Sequence, residues 1–371
     1  MDFFLPVNHL WLPVAAVALD LLLGDPHSWP HPVNLQGRVF TLLQAPLLEA
    51  RRFLRLSGAL ALLAALAVTA LVICFALNIP GVPCFILCLI AVYLCFAGLA
   101  LGCLLREGAK ACRAIDAVPG DAVTGPEAGN SDNPDNSGNL GDAPQVAQEP
   151  SGSARAESVE SPELLEARRA VSMLVSRDVS RLDKTSLYRT LAETLSENFT
   201  DAFVAPFFWL LAGGPLALWL YKCVSTADSR WGYMHEPWTL RGRAGARLDD
   251  VLAYIPARLS ALFLYWSMYP RVASGGSGVS WPGWKILRQD AQKMESPNAG
   301  WSMAAVAWLH GAFMGGPAVY AGKVKQKPVL GPAGNWDGVK IDALLRHLRR
   351  AGLLVTGVLT AILALASVLV N

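Results

Sequence analysis

The sequence predicts an all-α, polytopic integral membrane protein with about four full transmembrane helices, plus re-entrant or interfacial helices and cytoplasmic helices. Composition is the first ground: hydrophobic residues make up 53% of the 371 and charged residues only 16%, with a mean hydropathy of +0.36. The second is a charge-free run from Leu56 to Leu105. A bilayer crossing takes about 20 apolar residues, so this run holds two helices that turn at Asn78-Ile79-Pro80-Gly81. The third is Ala351 to Asn371, again uncharged and preceded by Arg346, Arg349 and Arg350.

In chain order, Phe3 to Leu23 has spanning length but contains Pro6, Pro13 and Asp20. It stops at Gly24-Asp25-Pro26, because Gly takes the left-handed C-terminal turn and Pro cannot continue a helix. Without a basic leader or a small-residue cleavage site, it reads as a retained segment. An acid at an apolar helix is a functional suspect, which marks Asp20 and Asp25, although turn amides alone would equally account for Asp25. Arg51, Arg52 and Arg55 precede the charge-free pair, and Arg106, Lys110 and Arg113 follow it. By the positive-inside rule both ends of the pair face the cytoplasm, and the expected spans leave both termini outside.

Between Pro119 and Pro162 eight acids accompany one base, Arg155, among Gly, Asn, Ser and Pro, with no aromatic residue. Such a segment cannot bury enough apolar surface to fold. The chain therefore divides into an N-terminal membrane region, 1–118; a disordered acidic insert, 119–162; and a region, 163–371, of cytoplasmic helices, re-entrant hairpins and a C-terminal transmembrane helix. Outside the insert the balance is basic, which suits anionic substrates or lipid headgroups. No basic face with interleaved aromatics marks a nucleic-acid surface. The seven cysteines lack paired C-x-x-C spacing and read as small packing residues.

The chain turns helical again from Glu163, with a break at Ser180 to Asp183. Arg189 to Tyr233 then organises the remainder. On a helix Arg189, Glu193, Glu197 and Asp201 fall four apart, which puts three like charges on one face. A cation relieving their repulsion and a solvated face partnered by Arg189 stand level on spacing alone. An uncharged stretch, Ala202 to Tyr221, follows, broken by Gly213-Gly214-Pro215. The break predicts two half-helices, Asp201 to Ala212 and Pro215 to Thr226, folded as a re-entrant hairpin that returns Ser225 to Tyr233 to the face it left. Ser296-Pro297-Asn298, Gly315-Gly316-Pro317 and Lys323 echo this order and suggest a weak internal repeat. Between the two, Val251 to Tyr269 contains Pro256 and Arg258 and reads as an interfacial helix.

Gly316 to Lys323 imitates a phosphate loop but has five residues between its glycines and Val324 in place of Ser or Thr. Neither Gly-x-Ser-x-Gly nor His-Glu-x-x-His occurs. His31 and His235 lie beside polar motifs, where a lone His is more often a hydrogen-bonding or packing residue.

Taken together, the ordered segments resemble a known family. Gly24-Asp25-Pro26 with His31-Pro32-Val33, Ser176-Arg177-Asp178, Glu193-Thr194 with Glu197-Asn198 and Asp201, Asp228-Ser229, Arg247-Leu248-Asp249-Asp250 with Ile255-Pro256-Ala257-Arg258, and Ser296-Pro297-Asn298-Ala299-Gly300-Trp301 are similar to the motifs of the adenosylcobinamide-phosphate synthases, the CobD/CbiB family. The resemblance spans the chain apart from the acidic insert, and Phe199-Thr200 departs from the smaller or polar residues expected there. It implies a membrane ligase of cobalamin biosynthesis that joins a propionate carboxylate of adenosylcobyric acid to the amine of aminopropanol phosphate or a related amino alcohol phosphate. ATP is the implied co-substrate and Mg²⁺ the implied cofactor.

The implied catalytic set is Glu197, Asp201, Asp228 and Asn198, with Glu197, Asp201 and Asp228 as metal ligands. Arg177, Lys222, Arg230, Asn298 and Asp25 would bind substrate or phosphate. Implied partners are the corrinoid and amino alcohol phosphate substrates and membrane lipid, with no nucleic acid. A homo-oligomer, or association with other late cobalamin-pathway enzymes, stays open. The site is expected on the cytoplasmic face of a multi-pass protein of the inner membrane. The rival classes are AmpE-like membrane sensor proteins, which would lack several of these acids, and a transporter with re-entrant hairpins.

Overall fold

A computed structural model describes residues 10–24, 29, 31–49, 52–119, 161–232, 236–273, 283–320 and 322–370. Asp25, His235 and nearly all of the expected insert lie outside the described residues. The elements are α1 (Trp11–Leu23), α2 (Pro32–Glu49), α3 (Leu54–Leu77), α4 (Cys84–Gly98), α5 (Leu101–Asp116), α6 (Pro162–Ser172) and α7 (Lys184–Asn198). A π-helical turn, Phe199–Val204, leads into α8 (Ala205–Trp231), followed by α9 (Trp238–Arg241), α10 (Arg243–Leu252), α11 (Tyr254–Ala273), α12 (Trp284–Ala291) and α13 (Ala299–His310). A β-hairpin, β1 (Met314–Tyr320) and β2 (Lys323–Leu330), precedes α14 (Gly338–Val370).

Among the described residues three helical runs are long and apolar enough to cross a membrane: Leu54–Leu77, Lys184–Trp231 and Gly338–Leu369. Two bent pairs, α4 with α5 (40°) and α10 with α11 (43°), bring the number to five where each pair counts as one span. The fold is that of an all-α polytopic membrane protein. The most apolar window of Lys184–Trp231 is 61% buried, against 22% and 17% in the other two runs, so this segment is enclosed by protein while α3 and α14 face outward.

The charge-free run does not continue straight to residue 105. It breaks at Leu99-Ala100, and two charged side chains from facing helices secure the break. Asp20, fully buried in α1, accepts the Gly102 amide at 2.8 Å and so caps the N-terminus of α5. Arg106 of α5 reaches back to the carbonyls of Leu21 (3.0 Å) and Leu22 (2.5 Å), at the C-terminus of α1. Each helix thus satisfies backbone groups of the other, and Asp20 is a capping residue.

The second Gly-Gly-Pro does not repeat the first. Gly315 and Gly316 adopt φ of 94° and 89° inside β1, at a register irregularity against β2, so the echo is a β-bulge and not a re-entrant break. The 251–269 segment, expected as an interfacial helix, falls across the bend between α10 and α11. Ala257, Ser260, Ala261 and Leu264 are fully buried, and α11 packs against α13 and α14. The helix that carries the C-terminal span begins well before residue 351, since Arg346, Arg349 and Arg350 belong to the same continuous α14.

Candidate active site

The site is built on the break within α8. Gly213 (φ −155°, ψ 28°) and Gly214 (φ 66°, ψ −162°) leave helical geometry, and the Gly214 pair of angles lies where only glycine is comfortable. Pro215, without an N–H, starts the second arm where a donor is not needed. A straight helix would hold Asp201 and Asp228 roughly 40 Å apart. Here Asp201 lies within Coulombic range of Glu197, Asp249, Asp228 and Lys222, so the two arms fold back as the re-entrant reading expects.

Asp201 sits in the π-helical turn, a form of helix that recurs at functional sites. The altered register frees the Ala202 carbonyl to accept the Ala100 amide at 3.1 Å, which fixes the turn against the α4–α5 break. Phe199, Phe203 and Phe207 form a buried aromatic column with centroids 6.0 and 5.8 Å apart, so the residue that departs from the family pattern, Phe199, packs the wall behind the acids. Gly245 brings α10 against Ala227 and Asp228, and this contact delivers Asp249 to the cluster. Asp249 lies within Coulombic range of Asp228 and Asp250, and its Oδ1 is buried without a hydrogen-bond partner among the described residues.

The carboxylate stripe on α7 is divided between two roles. Glu193, 1% exposed, forms an ion pair with Arg177, lies 3.6 Å from Lys327 and accepts the Gly315 amide at 2.8 Å. It is neutralised from the 173–183 loop and from the β-hairpin. Glu197, one turn on, feels Lys327, Glu193 and Arg177. Asp178 anchors this loop to the hairpin, its amide donating to the Val319 carbonyl at 2.9 Å. The first residue of the stripe, Arg189, lies over the Phe313 ring at 5.0 Å and donates to Ser186 Oγ at 3.4 Å.

The remaining predicted residues scatter around this centre. Asn198 donates to Thr194 at 3.0 Å, and Thr194 in turn donates to the Leu174 carbonyl at 3.1 Å. Asn298 is a hub: it donates to the Asp250 carbonyl at 2.8 Å and accepts from Arg258 at 3.1 Å. Arg258 also lies 3.3 Å from the Tyr254 ring centroid and 4.9 Å from that of Trp301. Lys222 faces Asp201 electrostatically. Arg230 stands apart from the acids and bonds Thr41 of α2 at 3.1 Å.

Asp249, Asp250, Arg258 and Lys327 join the site without having been singled out as site residues. The adjacent acids Asp249-Asp250 at the edge of an apolar stretch were the available signal. For Lys327, on an unforeseen strand, there was none. Among the described residues no three His, Cys, Asp or Glu side chains converge closely enough to hold a metal ion by themselves.

These features define a polytopic membrane protein whose re-entrant hairpin gathers half-buried acids, flanked by cations, at one mouth. The sequence matches the CobD/Cbib protein family model over residues 13–123 and 149–355, leaving out 124–148 within the acidic segment. Among curated relatives, the cobalamin biosynthesis protein CbiB of Salmonella typhi is 32% identical over 355 residues, covering 90% of each chain. CobD of Pelobacter propionicus is 32% identical over 335 residues (89% of this chain, 88% of the relative), and CbiB of Salmonella typhimurium 33% over 338 (90% of each). No solved structure matches the chain. The chain belongs to the CobD/CbiB family of cobalamin biosynthesis proteins, and that membership implies an enzyme of this pathway.

Proposed function

We propose that the protein is an ATP-dependent carboxylate–amine ligase that joins aminopropanol phosphate, or a related amino alcohol phosphate, to the propionate carboxylate of adenosylcobyric acid. The observation that carries this reading is that Asp201, Asp228 and Asp249 lie within Coulombic range of one another at the hairpin mouth, with Asp249 Oδ1 buried and without a hydrogen-bond partner among the described residues. Acids gathered this way repel one another and call for a cation. Mg²⁺ takes one or two carboxylates and completes its shell with water and phosphate, so an open, incomplete set of protein ligands suits it better than a closed cage. One or two of Glu197, Asp201 and Asp228, with Asp249 beside them, would hold it. When bound, the ion would neutralise the nucleotide phosphates.

A carboxylate and an amine at neutral pH form a salt, not an amide, so one carboxylate oxygen must become a leaving group. Transfer of the γ-phosphoryl group from ATP to that oxygen releases ADP. The amine nitrogen then attacks the acyl carbon and inorganic phosphate departs. Phosphoryl transfer is catalysed largely by positioning and electrostatics. Lys222 faces the acids and would steady the phosphates, as would Arg177 and Lys327 across Glu193. Asn298, held by Asp250 and Arg258, would orient a polar substrate group. A carboxylate of the cluster would accept the proton lost by the ammonium. The basic residues bordering the charge-free spans support a cytoplasmic-facing mouth in the inner membrane.

Purified protein given adenosylcobyric acid, aminopropanol phosphate and Mg-ATP should yield the amide and ADP. Glu197→Gln, Asp201→Asn and Asp228→Asn should abolish turnover without unfolding the chain. Normal turnover in those variants would remove the carboxylate site. No ATP consumption with any corrinoid would remove the ligase reading.

A further inference from the structure

A cavity of about 430 Å³ opens between α2 and the second arm of α8. Asn34, Arg38 and Thr41 line it from one face of α2, and Thr226 and Arg230, four residues apart, from one face of α8. The Arg230 guanidinium is set in place: Nη1 donates to Thr41 Oγ1 at 3.1 Å, and the Thr41 hydroxyl donates to the Gly37 carbonyl at 2.9 Å. A Cβ on Gly37 would come within 3.3 Å of Arg230 Nη2, so the glycine gives the guanidinium room to lie against α2. Among the described residues no carboxylate lines the cavity, and neither Arg38 nor Arg230 has an ion-pair partner. Two arginines, of which Arg230 is held by Thr41, thus face one opening with an amide and hydroxyls.

Asp228 lies two positions from both Thr226 and Arg230, which on a helix places it on the opposite side. One side of α8 therefore presents a carboxylate to α10, and the other presents a guanidinium and a hydroxyl to α2. A phosphoryl group in transfer belongs with the acids and their cation. A phosphate that serves only as a handle needs cationic forks and hydroxyls, and the guanidinium geometry matches its oxygens. We propose that this cavity is a second binding site, for a phosphate group that takes no part in the transfer. Its source is either the phosphate end of the amino alcohol substrate or a phospholipid headgroup. Assigning it to the substrate rests on the ligase reading; the anion chemistry of the cavity does not.

The test uses the full chain in detergent and in nanodiscs. Phosphoethanolamine, inorganic phosphate and phosphate-free ethanolamine serve as soluble probes without nucleotide, and phosphatidylglycerol in phosphatidylcholine discs as the lipid probe. Calorimetry should show both phosphates binding and ethanolamine not. Arg38→Gln and Arg230→Gln should each weaken binding about ten- to a hundredfold, as expected for loss of a charge-assisted pair, with partial recovery in the Lys variants. Glu197→Gln should bind the phosphates as wild type does. Matching rises in KM for the amino alcohol phosphate, with kcat less affected, assign the site to the substrate. Failure of the soluble phosphates to bind, with phosphatidylglycerol retained by wild type and lost from the double variant, assigns it to lipid. If folded Arg38→Gln/Arg230→Gln protein matches wild type with every probe, the proposal is overturned, even if the ligase is active. Phosphate binding that depends on both arginines, in a protein with no ligase activity, would leave the cavity standing and remove the ligase reading instead.

Discussion

Glu193 and Glu197 occupy adjacent turns of α7, yet they should respond to mutation in different ways. Glu193 is 1% exposed, and its partners Arg177 and Lys327 are 10% and 14% exposed, so the triad is sheltered from water. Removing one partner of such a buried pair typically costs about 3–5 kcal/mol, because the charge left behind stays desolvated. Glu193→Ala strands two cations and also the Gly315 amide, and should fall in the upper part of that range. Glu193→Gln keeps an acceptor for Gly315 and should fall in the lower part. Combining Glu193→Gln with Arg177→Met and Lys327→Met should recover much of the loss, since replacing all charged partners by apolar groups is often nearly neutral. Equilibrium unfolding of the detergent-solubilised protein measures this series, with Glu197→Gln, which should lose turnover and little stability, as the comparison. A Glu193→Ala cost of about 0.5 kcal/mol or less, the range of ordinary surface substitutions, would refute the buried-triad argument.

Other expectations follow from the same geometry. Asp20→Ala removes the cap of α5 and should cost about 1–2 kcal/mol, with Asp20→Asn closer to wild type, in the same unfolding assay. Gly214→Ala forces a side chain into a region nearly reserved for glycine, and should cost about 1–3 kcal/mol and lower turnover by loosening the hairpin. Burial works against the Asp290 carboxylate, but Lys293, the Gly331 amide and the Trp308 indole together hold its pKa below the usual carboxylate value. A depressed pKa means that its stabilising effect is complete above the unfolded value and disappears as pH falls through the folded one. Unfolding measured from pH 5 to pH 2 should therefore show an acid loss below about pH 4 that is shallower in Asp290→Asn.

The membrane class and the hairpin were legible because their signals are local. An uncharged run, a Gly-Gly-Pro break and the break at Ser180 to Asp183 ahead of α7 each lie within a few residues of what they determine. The reciprocal capping of α1 and α5 was not legible, since Asp20 and Gly102 meet only after folding. Gly315-Gly316-Pro317 misled because glycines of positive φ serve a β-bulge as readily as a helix break; the alternation Lys323-Val324-Lys325 was the strand signal beside it. Within the site, the four-residue spacing put Glu193, Glu197 and Asp201 on one face, and Glu197 lies within Coulombic range of both neighbours, although Asp201 sits in a π-helical turn. It could not reveal that Arg177 and Lys327 engage Glu193, or that α10 supplies Asp249.

The account stands on the return of the chain at Gly213-Gly214, which brings Asp201 and Asp228 together. Cysteines at these two positions, in an otherwise cysteine-free chain, can be treated with a short bifunctional thiol reagent in membranes. The fold-back predicts an intramolecular cross-link that the single variants do not form. Two thiols that each react singly but never link, as expected of positions roughly 40 Å apart on one straight helix, would contradict it.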